Sequence, residues 1–317
     1  MSRFVMADTT QLAYIKEATW GTTPSTPAMQ ILRLTSESLT YNPQTVTSQE
    51  LSPDRNIKDQ ILTTAGASGG MNFELSYGTF DDLLESLFYN AWSNDVLVNG
   101  LTEKSLTLEK RFYRGMSEAA TPVAQYDYFR FKGMIVNTMN LNIQASSIIT
   151  GDFAFLGKGA ETATSIITGE TYLNATTADV LSASHNVGTL TMSGFTSPKL
   201  ASVTMTVTNN LQGANVVGSH EYADIGAGTF AVSGSIEAFY DSLDMYTAFL
   251  GGTASSLSLT VGKTTGQKYT LEIPKLKFAS GEIVAGGQNQ YVMAKMNFQG
   301  LLDSTLGGTM KITRGVA

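Results

Sequence analysis

Two short stretches constrain this chain more than any other feature. FDDLLESLF (Phe80 to Phe88) and FYDSLDMYTAF (Phe239 to Phe249) carry phenylalanine, aspartate, leucine and an acid in one order, 159 residues apart. Each reads as an amphipathic helix. In the first, Phe80, Leu83, Leu84, Leu87 and Phe88 follow the i, i+3, i+4, i+7, i+8 stripe, and Thr79 with Asp82 three residues on forms a short capping box. In the second, Phe239, Leu243, Tyr246 and Leu250 make the stripe and Gly251-Gly252 supplies the stop. A strand precedes each helix. Met71, Phe73, Leu75 and Tyr77 alternate with Asn72, Glu74 and Ser76, which predicts one buried face. The same offset puts Phe230, Val232, Gly234 and Ile236 on the matching positions.

Further pairs follow in the same order. Ser105–Lys110 (SLTLEK) answers to Ser256–Val261 (SLSLTV), Val136–Ile143 to Ile273–Ser280, and Ile149–Gly159 to Val292–Leu302, with Phe155 on Phe298 and Gly157 on Gly300. Upstream, Leu32–Gln44 resembles Ala201–Gln212. Serine- and threonine-rich strands look alike singly, but five matches in unchanged order predict a tandem duplication. Residues 1–160 form the first unit, 161–198 a crossover and 199–317 the second. Glu161–Ser197 holds 14 Ser/Thr and no Lys or Arg, the composition of a flexible tether. Ile166, Ile167, Tyr172, Leu173, Val180 and Leu181 instead predict a segment laid against protein.

The two units differ most in one loop, about 43–69. Some 27 residues separate Asn42 from Gly69, against about 17 between Asn210 and Gly228. The longer loop mixes Glu50, Asp54, Arg55, Lys58 and Asp59 with Leu51, Pro53, Ile57, Ile61 and Leu62. Such a loop is costly to order unless it docks on something. It reads either as a solvated excursion or as an arm reaching a neighbouring subunit.

The chain offers little chemistry. It has no cysteine, so disulfides and thiolate metal sites are excluded. His185 and His220 lack a spaced third ligand. Asp81, Asp82 and Glu85 read as the solvent face of a helix. No phosphate-binding glycine loop and no GxSxG elbow is present. Arg111–Gly115 and Tyr126–Gly133 interleave bases with aromatics, as nucleic-acid platforms do. Their period of two fits a strand better, with Tyr128, Arg130 and Lys132 wet and Phe129 and Phe131 buried. The net charge of −7 is opposite to what phosphate binding requires. No leader or run of about 18 apolar residues is found, so a soluble chain made in a cytoplasm is expected.

These stretches resemble the major tail tube proteins of long, non-contractile-tailed (siphovirus-type) bacteriophages. The resemblance rests on LRLTSESLTYNPQ, ELSPDRNIKDQ, GGMNFELSYGTFDDLLESLF and SIITGDFAFLGKGAE, then on TNNLQG, GAGTFAVSGSIEAFYDSLDMY and IPKLKF, from Gln30 to Leu302. It implies a mainly β fold with short helices: two tandem β-sandwiches, each with a flanking α-helix, whose sheets join between subunits into a β-lined tube. Many members carry one such fold and form hexameric rings; a chain with two is expected to close as a trimer with pseudo-sixfold symmetry. Inter-ring contacts are then expected from Glu50, Leu51, Pro53, Asp54, Arg55, Ile57, Lys58 and Asp59. Lumen-facing acids are expected at Glu74, Asp152 and Glu237. The implied partners are further copies of the chain, a tape measure protein inside the tube, terminator and tail-tip proteins at its ends, and phage DNA in transit. No cofactor, metal, membrane or enzymatic activity is implied, and the destination is the virion tail. Two alternatives stand beside it: a tail terminator or distal tail ring protein, and a β-sandwich adhesin for surface sugars. A hydrolase is more distant still.

Overall fold

The computed structural model describes residues 4–118, 121–184, 186–195 and 198–316. The chain is mainly β. Among the described residues are two α-helices, α1 (Asp81–Phe88) and α2 (Asp244–Leu250), and eighteen strands that belong to one hydrogen-bonded network. The sequence pattern explains the arrangement: alternating runs demand a buried face, and two layers bury each other.

One layer runs as eight antiparallel strands. Thr40–Thr47 pairs with Gln60–Glu74, which pairs with Thr150–Gly157, which pairs with the second part of Ala124–Gln144. That strand then pairs with Leu200–Thr208, and Ala231–Phe239, Val292–Gly300 and the second part of Tyr269–Ala285 follow. The order of strands is the same within each half. The two longest strands bend from this layer into the other. There they pair with Leu106–Met116 and Gly159–Ala163 in the first half, and with Ser255–Val261 and Lys311–Arg314 in the second.

Bulges fix the correspondence between halves. Val136 faces Phe155 and Thr138 faces Ala154, leaving Asn137 unpaired; Phe278 faces Phe298 and Ser280 faces Asn297, leaving Ala279 unpaired. Phe155 and Gly157 therefore do correspond to Phe298 and Gly300. Gly69 faces Phe155 and Gly234 faces Phe298, so Met71 corresponds to Ile236. The sequence offset of 159 is thus wrong by six residues in this strand, and Val136 corresponds to Phe278, not to Ile273. An error of six preserves strand parity, so the predicted faces hold: Met71, Phe73, Val232 and Ile236 are all buried.

The helices are where the offset fails. Phe239 ends a strand instead of opening a helix, and Leu243 and Leu250 are 58% and 69% exposed. Met245 is the buried residue of α2, with Ala248 and Phe249 against the sheet. By contrast Leu83, Leu84, Glu85, Ser86, Leu87 and Phe88 of α1 are all buried. The reason is tertiary: residues of the second half pack against α1. Leu84 and Phe80 share a small cavity with Val261, Tyr269, Leu271 and Ile312. Phe88 meets Phe230 at 5.4 Å between ring centroids. The predicted Thr79 cap does not form; its hydroxyl bonds the Ser76 and Thr176 hydroxyls at 2.6 and 3.1 Å. Nor do the helix acids form a free solvent face; Glu85 is buried and Asp81 and Asp82 are partly buried. Asp81 accepts from the Tyr269 hydroxyl and from Arg314 (2.6 Å), Asp82 from Tyr14 and Lys16, and Glu85 from the Trp92 backbone.

Asn209 is the polar keystone of this contact. Its side-chain amide donates to the carbonyls of Leu87 (2.8 Å) and Val136 (2.9 Å) from a fully buried position. Asn209→Leu leaves both carbonyls short of a donor and is expected to cost about 2–4 kcal/mol, measurable by denaturant unfolding of the unassembled chain.

Candidate assembly surfaces

The eight-strand layer has one face against the core and one without cover. On the uncovered face stand Ser, Thr and Asn in cross-strand contact. Asn72 donates to Ser36 (2.6 Å), Asn140 to Asp152 (2.9 Å), Thr206 to Asn140 (2.8 Å) and Asn297 to Ser280 (2.7 Å), while Thr204 and Ser235 share a bond of 2.7 Å. This ladder crosses the junction between halves, because Leu200–Thr208 pairs with 138–144. The face is concave around Asn72, Glu74, Asn140, Asn142, Asp152 and Thr206. Strand parity places Glu74, Asp152 and Glu237 on it together. Asp152 is hydrogen-bonded to Asn140, and Glu237 is paired with Lys295 at 3.2 Å. Glu282 was missed in the sequence, since its side is set by the Ala279 bulge. Lys277 and Lys295 are the bases on this face and no arginine stands there among the paired residues. Such a surface has few groups that could hold a phosphate.

Both outer sides of this layer are unpaired among the described residues. Thr40–Thr47 has a partner on one side only, and so do residues 277–285. Free edges of this length are normally blunted, because they template pairing with another chain.

The long loop is a hairpin arm. Thr40–Thr47 and Gln60–Ser68 pair up to Thr47 facing Gln60, and residues 48–59 make the tip. Leu51 and Ile57 are 102% and 76% exposed, and Val46, Ile61 and Leu62 of the adjoining strands are exposed too. Asp54 organises the tip. Hydrogen bonds from Lys58 and Ser52 hold its carboxyl down at about 2. Glu50, Pro53, Arg55 and Asp59 surround it, all exposed.

The crossover is held down by a buried ion cluster. Arg130 donates to Glu109 (2.6 Å), Glu170 (3.4 Å) and the Ser165 carbonyl (3.1 Å), and Tyr172 donates to Glu109. Burial pushes the Glu109 carboxyl up. Thr171–Leu173 adds to Ala28–Ile31 as a parallel strand, and Val187–Met192 pairs with Ser255–Val261. The predicted wet face of Tyr128 and Arg130 is therefore covered, both residues being under 5% exposed. Alternation marks a strand but does not reveal what lies over its second face.

Among the described residues no three of His, Asp and Glu converge as a metal site would require, and no helix is long and apolar enough to cross a membrane. His220 is exposed, and His185 lies outside the described residues.

Comparison with known proteins gives a family match over most of the chain. The family described as phage tail tube protein matches residues 7–300. No curated protein matches the chain. Among solved structures, a chain of the six-fold symmetrised cryo-EM baseplate of the anti-feeding prophage aligns at 7% identity and a TM-score of 0.36. That alignment covers 51% of this chain and 97% of the other, a likeness too slight to weigh. With nearly its whole length matched, this chain belongs to the phage tail tube protein family.

Proposed function

We propose that this protein polymerises into the tail tube of a siphovirus-type phage as stacked trimeric rings of pseudo-sixfold symmetry, and that DNA passes through the bore. Family membership already makes it a structural, self-assembling tail component. The observation that carries the finer reading is the eight-strand layer. It comprises two four-strand sets in the same order, already joined edge to edge within one chain.

The arithmetic of closure favours three copies. Strands lie about 4.8 Å apart. Eight alone would close at a diameter of about 12 Å, which side chains fill. Three such arcs give a circumference near 115 Å, hence about 37 Å between backbones before strand tilt widens it. That admits a nucleic-acid duplex. The concave Ser/Thr/Asn face would line the bore, with Glu74, Asp152 and Glu237 repelling phosphates. The arm, residues 48–59 with its paired stem, would bridge to the next ring. On this reading, residues 1–160 and 199–317 are duplicated tube units and 161–198 is the crossover. A tape measure protein would occupy the bore during assembly, and terminator and tip proteins the ends.

Cryo-EM of purified protein or of native tails tests this. Hollow cylinders with three chains per ring and the Asp152 face inward are expected. Single rings that never stack would favour a terminator, and rings of six chains would overturn the trimer.

A further inference from the structure

We infer that residues 211–226 of the second half are a clamp that aims the hairpin arm of the first half, with the Tyr222 ring as the wedge that fixes its angle. The clamp belongs to the single chain; its consequence for tube growth rests on the tail-tube reading.

The arm needs outside support. Gln60–Glu74 pairs with Thr150–Gly157 only from Ala67 to Glu74. Toward the tip it keeps Thr40–Thr47 alone, and a two-stranded ribbon is marginally stable by itself. Burial marks where the ribbon leaves the protein: Ala65, Gly66 and Ala67 are buried, whereas residues 60–63 are exposed. A bulge sits at the same place. Gln44 faces Thr64 and Thr45 faces Leu62, leaving Thr63 unpaired. Bulges bend the strand that carries them, so the direction of the tip is set here.

What meets the arm at this point comes from the other half. The Ala65 amide donates to the His220 carbonyl, and Ala65 bridges Glu221 in parallel. The Tyr222 ring lies between two glycines, Gly66 of the arm and Gly213 of its own hairpin, and a Cβ at either would overlap it. Glycine in a strand here serves close approach. The clamp is itself firmly seated. Gln212–Ala214 pairs with Asp224–Gly226, and Ile225, 2% exposed, packs with Tyr89 and Ile135 of the first half. The Leu211 amide donates at 2.9 Å to the side chain of Asn137, the unpaired residue of the first bulge.

The clamp holds in the second half the place that the arm holds in the first. Thr208 faces Ala231 as Asn42 faces Gly66, and Ala231 and Gly66 each lie three residues before the glycine facing Phe298 or Phe155. One loop projects and its counterpart folds back to brace it. Two duplicated units thus present a single aimed arm per chain, and an arm held at one angle loses less freedom on docking.

The absence of cysteine allows two spin labels to be placed at will. Ile61→Cys on the ribbon and Leu302→Cys on the second half are both exposed positions. In the unassembled chain their distance distribution is expected to be narrow, and to stay so with Tyr222→Phe, which keeps the ring. Tyr222→Ala should broaden it about twofold and speed exchange of the Ala65 amide roughly tenfold or more. Gly66→Ala, which displaces the ring, should broaden it as much, and should add nothing in the Tyr222→Ala background. Melting temperature monitors the fold, which Ile225 continues to anchor. An unchanged distribution in both Tyr222→Ala and Gly66→Ala overturns the inference. Cylinders of Tyr222→Ala are expected to nucleate roughly tenfold more slowly; parental kinetics with a loosened arm would overturn the link to tube growth. Unsubstituted protein that never forms cylinders overturns the tail-tube reading and leaves the clamp standing.

Discussion

Replacing residues 48–59 by an Asn-Gly turn is expected to yield rings that no longer stack into tubes. The graft is geometrically mild. Thr47 faces Gln60, so a two-residue type I′ turn closes the hairpin without shifting register. The deleted tip contributes nothing to the core, since Leu51 and Ile57 are fully or largely exposed. Stability of the single chain should therefore stay within about 0.5 kcal/mol of the parent. On the proposed reading the loss falls on the contact between rings. Burying two such side chains is worth about 3–6 kcal/mol, which corresponds to a contact weakened by roughly 10²–10⁴ per chain. Several chains act together in each ring, so the cylinder population should vanish. Analytical sedimentation and negative-stain imaging read the result directly. Cylinders of ordinary length from the shortened protein would assign the arm to some other contact.

Arg130→Ala is expected to destabilise the chain by about 3–5 kcal/mol, because it strands Glu109 and Glu170 as buried charges without their partner. For a chain of this length that corresponds to a fall in melting temperature of roughly 5–10 °C. The pH dependence has a defined sign. Burial raises the folded pKa of Glu109 above its unfolded value. Its protonated form is thus favoured by folding, and its contribution is fully present below the unfolded pKa and is lost as pH rises through the folded one. Without Arg130 the burial penalty is unopposed, so the variant's deficit should be largest near neutrality and shrink toward pH 5. Melting curves across pH 5–8 measure it. Because Arg130 also binds the Ser165 carbonyl, limited proteolysis should cut the 161–195 segment faster in the variant. A deficit that does not change with pH would mean the lost interaction is packing instead of charge.

Such effects show where sequence reading succeeded and where it stopped. Strand faces were legible because side chains alternate with a period of two: Met71 and Phe73 were assigned inward and are buried, as are Val232 and Ile236. The stop of α2 was legible for an equally local reason, the freedom of glycine after a helix: Gly251 caps it and Gly252 takes the left-handed conformation at φ 58°. The frame relating the halves was not. Letters matched Phe80 to Phe239, whereas the pairing of Gly69 and Gly234 with Phe155 and Phe298 sets a different offset. An even slip keeps every strand face correct and so leaves no trace in the pattern. In α2 the same slip matters, because a helix turns by 100° per residue and a shifted stripe points elsewhere.

By itself the sequence determined that this is a β-rich chain without cysteine and that its strands each have an inward face. Only the tertiary structure decided that α1 is enclosed while α2 leaves Leu243 and Leu250 exposed, that Arg130 is buried beneath the crossover, and that two edges of one sheet are unpaired among the described residues. The physical reason is range. Alternation, capping and turn chemistry act within a few residues and are written where they act. Coverage of a face or an edge depends on which distant segment arrives there, and the covered residue carries no local mark of it.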